Sequence, residues 1–375
     1  MAIEIRPVIT KKELRTFIHL PAKIHKGHTN WVPPIYMDEW DYFNPNKNLS
    51  FRSCDTILAL ARNGKETAGR IMGIISHAYN RQHNENSARF TCLETRNDPE
   101  VFHALIEFVA KWASEKGMTK LTGPLGFSDK DPQGFLTEGF EQPVSIASNC
   151  NFPFMVDLME KEGFRKKLDL VVYKIEIPAE LPLFYKRISE RFHLNNSNIK
   201  ILEFTSRRAV RPYIRPVLRL VNLTFEDIYG FTPFSEEEMD HFANRFLYLI
   251  NPRFIKIIIN EKEEVIAFVI GMSDISSGIR RSKGYLLPIG FIYLLMAARR
   301  TRQLNLLLGA IHPDYRGKGL DAIMGTKMLE TAKIAGKTTI DTHLELEYNT
   351  KVRAEMERLG GKIYKRFRIY EMDLN

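Results

Sequence analysis

The feature that most constrains this chain is a pattern written twice. Met159-Glu160-Lys161, with Gly163 and Tyr173 beyond, lies over Met356-Glu357-Arg358, Gly360 and Tyr370 without a gap, fourteen residues from Met to Tyr in each copy. The elements ahead of the two copies also follow one order. Each half opens with a short strand (Ile3–Val8, Ile199–Phe204), followed by a helix and a turn-rich stretch in the first and by two helices in the second, then a hairpin. The first hairpin turns at Asn63-Gly64 and the second at Glu261–Glu263. Asn-Gly between two apolar runs is a strong turn signal, because both residues tolerate positive φ. A strand, a helix, a strand, a helix and a closing strand then complete each half. A chain of 375 residues has room for two domains of roughly 100–200 residues each. The expected organisation is a domain at 1–178, a linker at 179–198 that follows Pro178 and contains Pro182, and a domain at 199–375. Strands interleaved with helices predict an α/β class with a mixed sheet in each half.

Charge separates the halves. Residues 1–178 carry 23 basic and 22 acidic side chains, residues 179–375 carry 31 and 23, so nearly all of the net +9 belongs to the second half. An anionic ligand is expected there. Three cysteines, Cys54, Cys92 and Cys150, make no C-x-x-C pair; reduced thiols in the cytoplasm, with no structural metal, are the simplest expectation. The start, MAIEIRPVITKKEL, has no apolar core of a secretory signal. The apolar run Gly284–Ala298 has 15 residues interrupted by Pro288, short of the roughly 17–25 that span a bilayer.

The string LNLLLGAIHPDYRGKGLDAIMG sets a near-continuous apolar strand before Pro313, then Arg316-Gly317-Lys318-Gly319, then a helix from Leu320. Glycines let the backbone take φ > 0 and leave room for a ligand. The free N–H groups and dipole of a helix's first turn favour phosphate, and Arg316 and Lys318 add charge. A basic, solvated turn is the plainer alternative; the buried strand before it and the long helix after it favour the phosphate reading.

Here the sequence resembles the GNAT superfamily of acyl-CoA N-acyltransferases, whose Arg/Gln-x-x-Gly-x-Gly/Ala signature joins the fourth strand to the third helix. Arg316 and Gly319 take the first two fixed positions, and the last falls on Asp321 in place of Gly or Ala. The resemblance covers Ile199–Leu374 and implies acetyl-CoA or another acyl-CoA as co-substrate. It implies that the amides of Gly317, Lys318, Gly319, Leu320 and Asp321 hold the pyrophosphate. It further implies that the backbone of Ala310, Ile311 and His312 pairs with the pantetheine arm, and that Asn349 lies near the cofactor. The first half resembles the same fold without the loop: CLETRNDPEVFHALIE has no glycine, and Glu94, Asp98 and Glu100 would repel phosphate. Tandem GNAT folds also resemble the Fem-type aminoacyl transferases.

Transfer to an amine needs a base for the amine proton, a polarised carbonyl and an acid for the leaving thiolate. The family's usual tyrosine acid, four residues before the helix-ending glycine, corresponds here to Met356. Tyr364 and Tyr370 on the last strand are the candidate replacements. In the expected strand IDTHLELEYN, alternation puts Asp341, His343, Glu345 and Glu347 on one face. That face either lines a cleft or meets solvent; Glu345 is the first candidate base and Glu347 the second. His312 is expected as a turn residue.

The remaining features have open readings. The segment around 280–302 covers a cleft or domain contact, walls an acyl site, or lies on a membrane with its arginines on lipid phosphates. Arg207, Arg208, Arg211, Arg215 and Arg219 read as a solvated helix face, with no RNA-binding aromatic pattern, so nucleic acid is not an expected partner. Ser128–Pro143 is a long loop expected to line a pocket. The resulting expectation is an acyl-CoA-dependent N-acyltransferase working by direct transfer to a small-molecule or peptide amine. A non-catalytic acyl-CoA or lipid-binding protein and a tRNA-dependent aminoacyl transferase are the alternatives.

Overall fold

A computed structural model of the chain describes residues 3–145, 148–180, 187 and 198–374, with the side chains of 243–246 left aside; most of the expected linker falls outside them. The strands are β1 (Ile3–Pro7), β2 (Cys54–Asn63), β3 (Glu66–Ser76), β4 (Ser87–Thr95), β5 (Lys120–Gly123), β6 (Phe135–Glu138) and β7 (Arg165–Glu176) in the first half. The second half contributes β8 (Lys200–Glu203), β9 (Ile255–Ile259), β10 (Val265–Ser273), β11 (Gln303–Ile311), β12 (Thr339–Asp341), β13 (Glu345–Leu346) and β14 (Lys362–Asp373). They form one continuous mixed sheet in the order β1-β2-β3-β4-β5-β14-β7-β12-β11-β10-β9-β8, with β6 beside β14 and β13 beside β7. Only β4 with β5 and β11 with β12 run parallel.

The halves are not laid end to end. The closing strand of the second half, β14, lies between β5 and β7 of the first, and β7 in turn lies between β14 and β12. The two closing strands have changed places. Their antiparallel register obeys the sequence repeat: Tyr370 faces Lys166 while Ile363 faces Tyr173, Arg368 faces Asp169 while Arg366 faces Val171, and Phe367 faces Leu170. Each pair turns into another pair when the copies are interchanged, so a local two-fold passes through Leu170 and Phe367. Gly163 and Gly360, equivalent in the repeat, both end helices with positive φ, +91° and +78°, the conformation glycine adopts without a Cβ penalty.

Burial of alternate strand faces explains the pairing. Leu136, Leu168, Leu170 and Val172 from the first half pack with Leu346, Phe367 and Ile369 from the second in one core cluster. The first half packs its 17-residue helix, Pro99–Glu115, on β2 and β3 through Val101, Leu105, Ile106 and Val109. Its second half counterpart, Leu320–Ile334, buries Leu320, Ile323, Met324, Met328 and Leu329. The loop Ser128–Pro143, expected to line a pocket, bridges the halves. The Asp129 amide donates to Gly230 O at 3.2 Å, the Lys130 ammonium donates to Thr232 O, and β6 pairs with β14.

One expected strand is broken. In place of a run over Thr339–Tyr348, β12 ends at Asp341, and His343 takes φ +59° before β13 begins at Glu345. The Asp341 carboxylate accepts the His343 amide at 2.8 Å and the Thr342 hydroxyl donates to His343 O at 3.3 Å. Those local bonds satisfy the kinked backbone. Asp341, His343, Glu345 and Glu347 therefore do not share one face.

Candidate acyl-donor site

The strand-to-helix turn at 312–320 is open. Pro313–Tyr315 form a single tight turn, capped by His312, whose Nδ1 accepts the Asp314 amide at 3.3 Å. Gly317 and Gly319 follow with φ of +74° and +79°. A Cβ added at Gly317 would meet nothing within 4 Å; its glycine is required by backbone conformation rather than by crowding. Gly319 is the N-cap of helix Leu320–Ile334 and brings no side-chain cap. Four amide donors in the first turn of a helix have no intrahelical acceptor, so they remain for an outside anion. Arg316 and Lys318 are exposed beside them. Arg316 Nε folds back on Ile311 O at 3.4 Å, and the Lys318 ammonium sits 4.7 Å from the Tyr315 ring centre. Neither forms an ion pair among the described residues. Asp321 is exposed on the first turn.

The twin half shows the contrast. At the start of helix Pro99–Glu115, Asp98 accepts the Val101 amide at 3.2 Å, and Pro99 removes one donor outright. The same location is thus sealed in one half and bare in the other.

A second contrast concerns the strand leading in. β11 pairs with β12 only at Gln303–Thr339, Leu304–Ile340 and Asn305–Asp341. Beyond Asn305 the two strands part, and no strand pairs with that side of Leu306–Ile311 among the described residues. These residues are half-buried or exposed. A bulge at Leu307, where Ile270 pairs with Leu308 but Gly271 with Leu306, bends the strand at the same level. In the first half, β4 likewise leaves β5 after Arg89–Thr122, but that fork is filled. The Leu125 amide donates to Phe90 O at 2.8 Å, and the Arg89 guanidinium bonds Gly126 O and Phe127 O at 3.3 and 2.8 Å. A bare strand edge ending at a bare helix start can take a chain that carries amides along its length and phosphates at its end. Ala310, Ile311 and His312 lie on that edge. Asn349 does not join it: its side chain caps the next helix by accepting the Val352 amide at 3.4 Å.

The fork holds buried polar groups. Asn305 and Asp341 are each 2% exposed. The Tyr364 hydroxyl donates to Asp341 Oδ2, and Lys365 Nζ lies 3.8 Å from the same oxygen. Burial, then the Asp341 charge, pushes the Tyr364 phenol above its ordinary range. Burial also lowers the Lys365 ammonium, against which Asp341 and Asp274 pull it up. Glu345 differs from all of these. It is half-buried, its carboxyl has no hydrogen bond or ion pair among the described residues, and desolvation alone raises that carboxyl to about 8. Leu344 and Leu346 turn towards the core shared by the halves.

The other candidates are engaged elsewhere. Glu347 accepts from Lys166 at 2.8 Å and from Arg366 at 2.5 Å, and Lys166 holds its carboxyl below the usual range. Tyr370 is inside the first half's core. Met356 packs beside Leu329 and Ile340. Arg215 and Arg219 are paired with Asp240 and Glu236, as a solvated helix face requires. A set the sequence did not single out is His25, His28 and Cys150, whose ligand atoms lie within 4.8 Å of one another. The facing Nδ1 atoms of the two histidines are 3.0 Å apart, and His28 Nε2 lies 4.0 Å from Cys150 Sγ.

No family model matches the sequence. The chain is 26% identical over 382 residues to a Caulobacter vibrioides protein named bacterial ceramide synthase, covering 99% of this chain and 98% of that one. It is 23% identical over 382 residues to protein YghO of Escherichia coli, covering 99% and 95%. Among solved structures, a tandem GNAT protein from the clavulanic acid biosynthesis pathway matches 100% of this chain and 99% of its own, with a TM-score of 0.58 at 12% identity. The chain has the tandem GNAT fold.

Proposed function

We propose that this protein transfers an acyl group from a CoA thioester to the amine of an amphipathic acceptor, forming an amide. The observation that carries the reading is the paired contrast between the halves. A fork and a helix start that are sealed in the first half are both open in the second, where the basic residues stand. A CoA thioester supplies an activated acyl carbon. The amides of 317–321 with Arg316 and Lys318 would bind its phosphates, and the free edge at Leu306–Ile311 would hold its arm.

The acceptor nitrogen attacks the acyl carbon; a C–N bond forms, the C–S bond breaks, and CoA leaves as a thiol. Glu345 is assigned to take the amine proton, because a carboxyl titrating near 8 is close in basicity to the medium it works in. Tyr364, kept protonated by its surroundings, is the assigned proton donor to the departing sulfur; its single hydroxyl proton, donated to Asp341 in this structure, would turn from that carboxylate to the thiolate as the C–S bond breaks. The name of the Caulobacter relative points to a long-chain amine as acceptor. The alternative of tRNA-dependent transfer lacks support from the basic helix, two of whose arginines are already paired with carboxylates.

The test is release of free thiol from acetyl-, medium- and long-chain acyl-CoA in the presence of short and long alkyl amines. Turnover that needs both substrates, and rises with alkyl length of the amine, is the expected result. Stabilisation by CoA without turnover on any amine would leave only a binding protein.

A further inference from the structure

The segment 280–302 resolves into two faces. A helix at Ser276–Ser282 leads through a loop to a second at Gly290–Arg300. Leu286, Gly290, Leu294 and Ala297 turn inward, and Leu286 and Leu294 pack with Ile35, Ile275 and Ile279. So one face does cover a contact between the halves, and the Tyr36 amide donates to Gly284 O at 3.1 Å across it. The other face is apolar and bare: Tyr285, Leu287, Ile289, Phe291, Ile292 and Leu295 are all exposed, Leu287 at 78%. Single exposed apolar residues are common on soluble proteins, whereas six within eleven positions make a patch that marks an interaction surface.

The segment itself carries one sign of charge. Arg280, Arg281, Lys283, Arg299, Arg300 and Arg302 flank the patch, all exposed and none in an ion pair among the described residues. No Asp or Glu occurs between Asp274 and Asp314. The patch also continues into the first half. The Tyr285 ring lies 4.8 Å from Tyr36 and 6.2 Å from His19. With Trp40, Lys11, Lys12, Arg15 and His19, Tyr285 lines a cavity of about 490 Å³. A cavity with an aromatic wall and three cations at the edge of an apolar patch suits an anionic headgroup whose acyl chains lie beneath the patch.

We infer that this face docks on the surface of a bilayer containing anionic phospholipid. Aliphatic tips flanked by arginines are the pattern of an element lying in the interface plane. No helix among the described residues is long and apolar enough to cross a membrane, so the contact is from one side. A second copy of the chain fits this face poorly. A two-fold contact sets a surface against itself, and here it would bring the flanking arginines of one copy against those of the other. A nucleic acid would satisfy the cations but has no use for Leu287, Ile289, Ile292 and Leu295. The inference is independent of the acyl-CoA reading, although a long-chain amine would reach the protein from the same lipid phase.

The experiment is co-sedimentation of the full chain with vesicles of phosphatidylcholine alone and with vesicles containing phosphatidylglycerol. Binding to the second and little to the first is expected, weakening as salt rises. The double change Leu287→Glu with Ile292→Glu, and separately Arg299→Glu with Arg300→Glu, should each reduce binding at least tenfold. Melting temperature and elution volume should be unchanged. A Tyr285→Trp reporter should be quenched by brominated acyl chains. No sedimentation with anionic vesicles, or equal sedimentation of the variants, overturns the inference. So does a concentration-dependent dimer that the Leu287→Glu, Ile292→Glu pair dissociates in place of vesicle binding. Retention of the CoA-induced thermal shift in these variants keeps a failure here distinct from a failure of the donor site.

Discussion

Leu170 and Phe367 face each other across the central strands β7 and β14, and they are each other's counterpart in the duplicated sequence. The local two-fold through this pair makes the exchange of closing strands reciprocal. Without β14, β5 and β7 of the first half would each lose a neighbour; without β7, so would β12 and β14. Exposed strand edges of that kind pair with whatever chain they meet. The halves are similar in fold and inseparable in construction.

A cut in the expected linker should therefore not release two stable domains. Fragments 1–178 and 199–375, expressed separately, are expected to aggregate or to show little fixed structure by circular dichroism. Co-expressed, they should assemble into one particle of the full chain's elution volume that still responds to CoA. A monomeric, folded 199–375 fragment with a CoA-induced thermal shift would show that the second half closes its own sheet.

The sealed and open helix starts can be interchanged. Gly319→Asp places at the bare N-cap the residue type that Asp98 supplies in the first half, and Asp tolerates positive φ better than most residues. Its carboxylate would compete for the same amides and repel phosphate. The thermal shift with CoA should disappear, with binding weaker by at least tenfold, while the melting temperature without ligand moves by only a few degrees. Unaltered CoA binding in this variant would place the phosphates elsewhere.

Much of this was legible in the sequence, for reasons that differ by element. The Asn63-Gly64 hairpin, the Asp98–Pro99 helix start and the Arg316–Gly319 turn are set by local chemistry within a few residues, and they lie where their spacing puts them. The repeat predicted two halves of one fold. It did not predict the strand exchange, because the alternation of β7 and β14 is satisfied equally by a neighbour from either half. The broken strand at Thr342–Leu344 was hidden for a related reason. His343 looks like one more alternating residue, and only the side chain of Asp341, turned back on the His343 amide, reveals the kink. Glu345 was singled out from an alternation that the structure does not keep; the lack of a side-chain partner for it among the described residues is a fact of packing that no spacing encodes.

His25 offers a test of packing around the first half's polar cluster. Its ring stacks on Trp31 and Phe152, with centroids 5.1 Å away in each case, and burial lowers its pKa to about 4. An unfolded histidine takes its proton near 6.5. Between pH 6.5 and 4 the unfolded chain therefore binds a proton that the folded chain refuses, and stability falls with pH by on the order of 2 kcal/mol. His25→Phe keeps the stacking and removes the titration, at the expense of the bond to His28. Chemical denaturation should find the variant about 1 kcal/mol less stable at pH 7.5 but with a shallower loss towards pH 4.5. An equal slope in both proteins would mean that His25 is not the group titrating.

If Glu345 is the base, its titration should affect stability and activity in opposite senses. Its carboxyl titrates at about 8 in the fold, raised by desolvation from an ordinary 4.5. The stabilising protonated form is fully present below pH 4.5, and that contribution is lost as pH rises through 8. Glu345→Gln keeps the neutral shape at every pH, so it should be more stable than the native chain above pH 8, by about 1–3 kcal/mol, and similar to it at pH 4.5. Activity should change the other way. If Glu345 takes the amine proton, the native rate rises with pH up to about 8 and then levels. The glutamine variant should lose about 10²–10⁴ in kcat together with that rising limb, while CoA binding persists. A variant that gains alkaline stability yet keeps both its rate and its pH profile would leave Glu345 as a buried carboxyl with no part in transfer, and would direct the search for the base to the Asp341 fork.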